Sequence, residues 1–304
     1  MTIQPRRRMR FVGVSTAQSS IMTVFPRWSQ LLDLNADLVG LDVPLDASPQ
    51  RYRRVVADLR DDPSCAGALV TTHKIGLYEA ASDMFAELDE FAVTCGEVSS
   101  VSVRNGQVFG AAKDPLTAGL SLEEVLAPGH FAEGAEVLCL GAGGAGTAIG
   151  WYLTQRPDVP RVLRFVDTLP QRLSHLEAVV AGQNPAAKIE TALLGDVNLR
   201  QLLRDLPPGS LIVNATGMGK DRPGSPLPSG SVLPERGVVW ELNYRGALDF
   251  LHQARDQQAT KGLTVVDGWR YFIHGWSQVV GDVFDIAMTP DLVNALAAAA
   301  DPAR

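Results

Sequence analysis

An apolar run, Val137-Leu138-Cys139-Leu140, passes directly into Gly141-Ala142-Gly143-Gly144-Ala145-Gly146 and then into Thr147-Ala148-Ile149-Gly150. Unbroken apolar residues suit a strand buried on both faces, and the glycines suit a tight exit into a helix. Gly141, Gly143 and Gly146 fit G-x-G-x-x-G: the first permits the turn, the second lets the backbone approach a pyrophosphate, and the third lets helix and strand pack closely. The helix N-terminus then offers free N–H groups and a positive dipole end to phosphates. This reading assigns Gly141, Ala142, Gly143, Gly144 and Ala145 to a bound dinucleotide.

A second apolar run, Val162 to Val166, ends in Asp167-Thr168, about twenty residues past the last glycine, where an acidic side chain accepts hydrogen bonds from ribose hydroxyls. A carboxylate there repels a 2′-phosphate, so the expected cofactor is NAD rather than NADP. The alternative for Asp167 is that it caps a helix beginning near Leu169 or Pro170.

The chain has 304 residues, enough for one large or two medium domains. A formal net charge of -7 argues against nucleic acid as a partner, and the basic start, Arg6-Arg7-Arg8 and Arg10, is too short to outweigh it. No stretch is long and apolar enough to span a membrane, and the start lacks the apolar core of a secretory signal. Cys65, Cys95 and Cys139 have no metal-type spacing, nor do the five histidines, so no metal is expected. A cytoplasmic protein with reduced thiols is the simplest account.

Strand and helix patterns alternate along the first half. Met9 to Val14 reads as a strand opening onto hydroxyls that include Ser19 and Ser20, which either meet a ligand or cap the next helix. Ala36 to Val43 and Gly67 to Thr72 read as further strands, with a helix from Gln50 to Leu59 between them. The second of these ends in His73-Lys74, which places Lys74 at the carboxyl edge of a mostly parallel sheet. A helix from Ile75 to Phe85 follows. Gly96 to Val103 and Gln107 to Gly110 flank Asn105-Gly106, a strong hairpin signal. Asp114 precedes Pro115 and is expected to be extended or turn-like ahead of a helix from Leu116.

In the second half, Leu211-Ile212-Val213 ends in Asn214-Ala215-Thr216, a strand tip of small and polar groups suited to a ribose. Val238 to Tyr244 reads as a strand, Trp269 to Phe284 as a helix, and Pro290 to Ala300 closes the chain.

The order of these features resembles the shikimate and quinate dehydrogenase family over nearly the full chain. The matching pieces are the hydroxyl cluster after the first strand, Val-Thr-x-His-Lys at Lys74, Gly-x-x-x-Asp at Asp114 and Gly-Ala-Gly-Gly-Ala. Downstream follow Asn214-Ala215-Thr216-Gly217-Met218-Gly219, Tyr244 and Asp267-Gly268.

The resemblance implies an α/β fold of two domains. An N-terminal substrate domain (1–115) has a mostly parallel sheet, a Rossmann dinucleotide domain spans 116–266, and C-terminal helices (267–304) return to the first domain. It implies Lys74 and Asp114 as the catalytic pair, and Ser19, Ser20, Thr71, Ser99, Tyr244 and Gln278 on the substrate, with Thr72 competing for the role of Thr71. It also implies Thr168, Asn214, Ala215, Thr216, Met218 and Gly268 on the cofactor. A lysine held by a carboxylate can exchange the hydroxyl proton of a secondary alcohol while hydride passes to nicotinamide.

Departures bear on the substrate. The family's second first-strand serine is Ile21, and its asparagine-threonine pairs are Ser99-Ser100 and Ala112-Lys113. Its ring-binding glutamine is Gly275, with Gln278 one turn later. A site built to pair hydroxyls discriminates strongly, so the expected substrate is a cyclic hydroxy or keto acid other than shikimate, with Lys113 supplying a new charge. The expected assembly is a monomer or homodimer. Two other readings are a non-catalytic NAD-binding sensor of the same fold and a methylene-tetrahydrofolate dehydrogenase-like enzyme.

Overall fold

The computed structural model describes residues 6–220 and 222–303. The chain forms two units, Met1–Asp114 with Ile273–Arg304, and Pro115–Phe272. The C-terminal boundary falls at Ile273, so Asp267 to Phe272 stay with the second unit rather than with the returning segment.

The first unit runs β1 (Arg7–Gly13), α1 (Ile21–Leu31), β2 (Ala36–Asp42), α2 (Pro49–Asp61), β3 (Cys65–Val70) and α3 (Lys74–Ala81). It continues through β4 (Glu87–Leu88), α4 (Glu90–Cys95), β5 (Ser100–Arg104) and β6 (Gln107–Ala111). Its sheet has the order β2-β1-β3-β5-β6-β4. β1 is parallel to both its neighbours and β4 is parallel to β6, whereas β5 is antiparallel to β3 and β6. The reversal comes from Asn105 and Gly106, whose φ values of 51° and 72° match a two-residue hairpin turn.

α2 shows how sequence specifies an element here. Pro49 opens it, the Ser48 hydroxyl accepts from the Arg51 N–H, and Tyr52, Val55, Val56 and Leu59 form the buried stripe. That stripe packs in one core with Val12, Val70 and Leu77.

The second unit holds most of α5 (Asp114–Glu123), then β7 (Val137–Leu140), α6 (Gly144–Gln155), β8 (Val162–Asp167), α7 (Pro170–Val180) and β9 (Lys188–Leu193). α8 (Leu199–Asp205), β10 (Leu211–Asn214), β11 (Val238–Glu241), α9 (Asp249–Lys261) and β12 (Thr264–Val266) complete it. All five pairings in the order β12-β11-β10-β7-β8-β9 are parallel. The order reverses between β7 and β10, which puts a switch point at the carboxyl end of β7.

α10 (Trp269–Phe284) passes from the second unit to the first, and α11 (Pro290–Ala300) ends the chain. Within the first unit the Trp28 indole donates to the Leu296 carbonyl at 2.8 Å, and Trp276 meets Phe11 edge-on at 4.9 Å. Among the described residues no helix is long and apolar enough to cross a membrane.

Three expectations change. Asp114 opens α5 rather than preceding it: Pro115 then falls in the first helical turn, where its missing N–H has no partner to lose. The strand expected from Gly96 begins at Ser100, because Gly96 takes the left-handed conformation (φ 61°) that ends α4. The strand expected through Tyr244 stops at Glu241.

Candidate active site

In the first unit, β3 delivers Lys74 to the first residue of α3, and β6 delivers Asp114 to the first residue of α5. Their side chains form an ion pair. Burial opposes charge on Lys74, but the carboxylates of Asp114 and Glu97 outweigh it and hold its pKa above the ordinary lysine value. Lys74 therefore stays protonated at neutral pH.

Glu97 is a member of this cluster that sequence reasoning missed. It is 1% exposed, its Oε1 has no hydrogen-bond partner, and burial with the nearby Asp114 charge pushes its pKa up to about 8. An acidic residue within a predicted strand is an available signal, but nothing in that run announces its burial.

The expected substrate groups divide. Ser20 occupies the N-cap position of α1 without a side-chain cap bond, so its half-buried hydroxyl is not spent on the helix, and Ser19 lies beside it. Thr71 is half-buried at the end of β3 with its hydroxyl on the Val12 carbonyl at 3.3 Å, whereas Thr72 is exposed. Gln278 is half-buried on α10.

The Ser99 hydroxyl is occupied within the fold: it accepts from the Lys113 N–H at 2.7 Å and lies 3.5 Å from the Ala111 carbonyl. Lys113, expected to offer a free charge, is instead engaged by Asp282 at 3.2 Å and Asp89 at 3.7 Å. Ile21 is fully buried.

In the second unit the glycine turn has three distinct environments. Gly141 has φ +105°, and a Cβ there would meet the Ala215 carbonyl oxygen at 2.6 Å. A Cβ on Gly146 would stand 2.1 Å from the Gly141 carbonyl oxygen, so the third glycine is needed for helix and turn to touch. Gly143 faces open space, with nothing within 4 Å of a Cβ. It leads into α6, where the N–H groups of Gly144, Ala145 and Gly146 precede the first intrahelical bond, Thr147 N–H to the Gly143 carbonyl at 2.9 Å. An open, glycine-faced helix N-terminus with unclaimed donors fits a pyrophosphate.

Asp167 braces the backbone on both sides of the end of β8. One oxygen accepts from the Ala142 N–H at 2.7 Å and so ties the turn to β8. The other accepts from the N–H groups of Thr168 (2.7 Å) and Leu169 (3.0 Å) at the start of α7. Arg172 approaches the first oxygen at 3.8 Å.

Asn214 is fully buried and organises the loop after β10. Its Oδ1 accepts from the Thr216 N–H and hydroxyl, its Nδ2 donates to Glu241 at 2.7 Å, and the Thr216 hydroxyl accepts from the Met218 N–H. The Ala215 N–H donates to the Leu140 carbonyl, which seats this loop against the glycine turn. Glu241 and Asn243, also missed in the sequence, complete a buried polar cluster under the loop.

Tyr244 packs on Phe272 at 4.4 Å and Trp269 at 5.6 Å. A Cβ on Gly268 would collide with the Leu242 carbonyl oxygen at 2.0 Å, so its glycine character serves a close backbone approach within this unit.

No protein-family model matches the chain. It is, however, 32% identical to the shikimate dehydrogenase (NADP(+)) of Thermus thermophilus over 240 residues, which is 78% of this chain and 77% of that enzyme. The chain belongs to the shikimate dehydrogenase family. Solved members share its fold. The Thermus thermophilus shikimate 5-dehydrogenase in complex with NADP(H) and shikimate aligns with a TM-score of 0.71 at 24% identity, covering 98% of this chain and 100% of that one. The Corynebacterium glutamicum quinate dehydrogenase in complex with NAD aligns at 0.72 and 16% identity, covering 96% and 98%. These alignments cover both the all-parallel unit and the α/β unit that carries Lys74 and Asp114.

Proposed function

We propose that this chain is an NAD-dependent dehydrogenase that interconverts a ketone and a secondary alcohol on a cyclic hydroxy or keto acid related to shikimate or quinate. Lys74 and Asp114 handle the proton. The observation that carries this reading is the ion pair between them at the carboxyl edge of the first sheet. Reduction of a ketone requires a proton at the carbonyl oxygen as hydride reaches the carbon. Lys74, kept charged by Asp114, can hydrogen-bond that oxygen and then release the proton to it. In oxidation the neutral amine takes the proton back, and Asp114 keeps it oriented. The dinucleotide, when bound, supplies or accepts the hydride.

The N–H groups of Gly144 and Ala145 would hold its phosphates against Gly143. NAD is favoured because the Asp167 carboxylate suits ribose hydroxyls and repels a 2′-phosphate. Arg172, the cation that would offset this, is drawn to Asp167 itself. Among the relatives, the quinate dehydrogenase is solved with NAD, the Listeria monocytogenes shikimate 5-dehydrogenase with shikimate and NAD, and the Thermus thermophilus shikimate dehydrogenase is named for NADP(+). A substrate other than shikimate is supported by the burial of Ile21, the engaged hydroxyl of Ser99 and the paired amine of Lys113.

The test is a panel of shikimate, quinate and amino- or deoxy-analogues assayed with NAD and NADP, on the wild type and on Lys74→Ala. Turnover is expected with NAD on a ring acid other than shikimate. Lys74→Ala should lower it by roughly 10²–10⁴-fold while NAD binding is kept. Turnover of shikimate alone would overturn the substrate assignment. A Lys74→Ala enzyme of full activity would overturn the mechanism, and absence of any turnover would favour a sensor.

A further inference from the structure

Glu97 is a buried acid for which the fold gives no structural reason. Its Oε1 has no hydrogen-bond partner and the residue is 1% exposed, a placement that is costly unless a nearby charge offsets it. The backbone around it is tied to both members of the proton-handling pair. On one side the Val98 N–H donates to the Lys74 carbonyl at 3.1 Å. On the other, the Ser99 N–H donates to the Ala111 carbonyl at 3.0 Å and the Ser99 hydroxyl accepts from the Lys113 N–H, which fixes the turn that delivers Asp114. The Glu97 N–H itself donates to the Ala92 carbonyl at 3.2 Å, holding the residue at the end of α4.

The charged and titratable groups around Glu97 are Lys74 from α3, Asp114 from α5, and Asp89 and Cys95 from the two ends of α4. Lys74 is the only cation among these four.

We propose that Glu97 is the third ionisable member of the Lys74–Asp114 couple, a positioning residue whose own protonation sets how firmly Lys74 holds its proton. At neutral pH Glu97 keeps its proton, since burial pushes its pKa up to about 8, and the couple is a neutral pair. As pH rises Glu97 ionises, a second negative charge faces Lys74, and the amine holds its proton more strongly. Removing that charge should weaken this hold, so Lys74 becomes a better acid at alkaline pH. The proposal rests on reading Lys74 and Asp114 as the proton-handling couple, but its test needs no turnover.

The experiment is competitive acetylation of the intact protein with acetic anhydride from neutral to alkaline pH, with peptide mass spectrometry following Lys74 and the exposed Lys188 as internal reference. In Glu97→Gln the Lys74 labelling curve should move to lower pH, and a curve displaced by one pH unit corresponds to about a tenfold higher rate below the midpoint, while Lys188 is unchanged. Glu97→Ala should move it the same way. Should neither variant fold by circular dichroism, the wild type decides alone: its Lys74 curve should show an inflection near 8, and a single smooth titration there overturns the proposal. Superimposable curves in wild type and folded variant also overturn it. A protein that shows this displacement but turns over no substrate would remove the dehydrogenase reading and leave the coupling in place.

Discussion

The Ser100 hydroxyl and the Asp282 carboxylate meet at 2.6 Å across 182 residues of chain. The same aspartate takes the Ser102 hydroxyl at 3.2 Å and the Lys113 amine at 3.2 Å, while its carbonyl accepts from Arg104. One side chain on α10 thus pins β5 and the turn before Asp114. Asp282→Ala would leave the fully buried Ser100 hydroxyl without an acceptor and Lys113 with Asp89 alone. The expected loss is about 1–3 kcal/mol in urea unfolding, with Asp282→Asn in between. A variant that unfolds at the wild-type midpoint would show that this contact contributes nothing to stability.

Asp167 holds the glycine turn, and under the proposed function it would also recognise a ribose. Asp167→Asn keeps an acceptor for backbone N–H groups but removes the charge that repels a 2′-phosphate. The ratio of kcat/KM for NAD over NADP is expected to fall by roughly tenfold, the scale of one charge-assisted hydrogen bond. Paired steady-state assays with the two dinucleotides measure it, and an unchanged ratio would remove Asp167 as the determinant.

Local signals carried most of the fold. Trp269–Phe284 and Pro290–Ala300 are found at the bounds read from the sequence, because long apolar periodicity and a proline start leave little choice. β4, α4 and α8 were not foreseen: each spans fewer than two full turns or a single residue pair, too short for a period to show. The pairing of Lys74 with Asp114 was legible only through the family's motif order, since either residue alone reads as surface or turn. Glu97, Asp282 and Glu241 were invisible for a different reason. Their meaning lies in burial and in partners far along the chain, and neither is encoded in the neighbouring residues.

Glu241 gives the second unit a pH-dependent stability. Burial raises its pKa from 4.5 to about 7, against the opposing hydrogen bonds from Asn243 and Asn214. Below the lower value the proton is bound whether the chain is folded or not, so its contribution is fully present. Between the two values only the folded chain keeps the proton, and stability falls as pH rises through about 7, by at most about 1.4 kcal/mol per pH unit. The melting temperature should therefore drop from mildly acidic to mildly alkaline pH. Glu241→Gln should flatten that drop, with the part that persists belonging to Glu97. An identical slope in the variant would assign the drop elsewhere.

The glycines of the turn separate folding from binding. A methyl on Gly146 has nowhere to go, because the Gly141 carbonyl oxygen stands 2.1 Å from its Cβ position, and neither backbone can retreat without opening the contact between turn and helix. Gly146→Ala should lower the melting temperature and abolish dinucleotide binding together. Gly143 is the opposite case: its φ of -74° suits any residue and its Cβ position is empty. Gly143→Ala should therefore fold with wild-type stability, yet its methyl would occupy the space a pyrophosphate needs, and NAD affinity should fall by tenfold or more, on the scale of a lost phosphate contact. Calorimetric melting and NAD titration on the two variants distinguish these outcomes. If Gly143→Ala binds NAD as the wild type does, the phosphates do not lie against this turn.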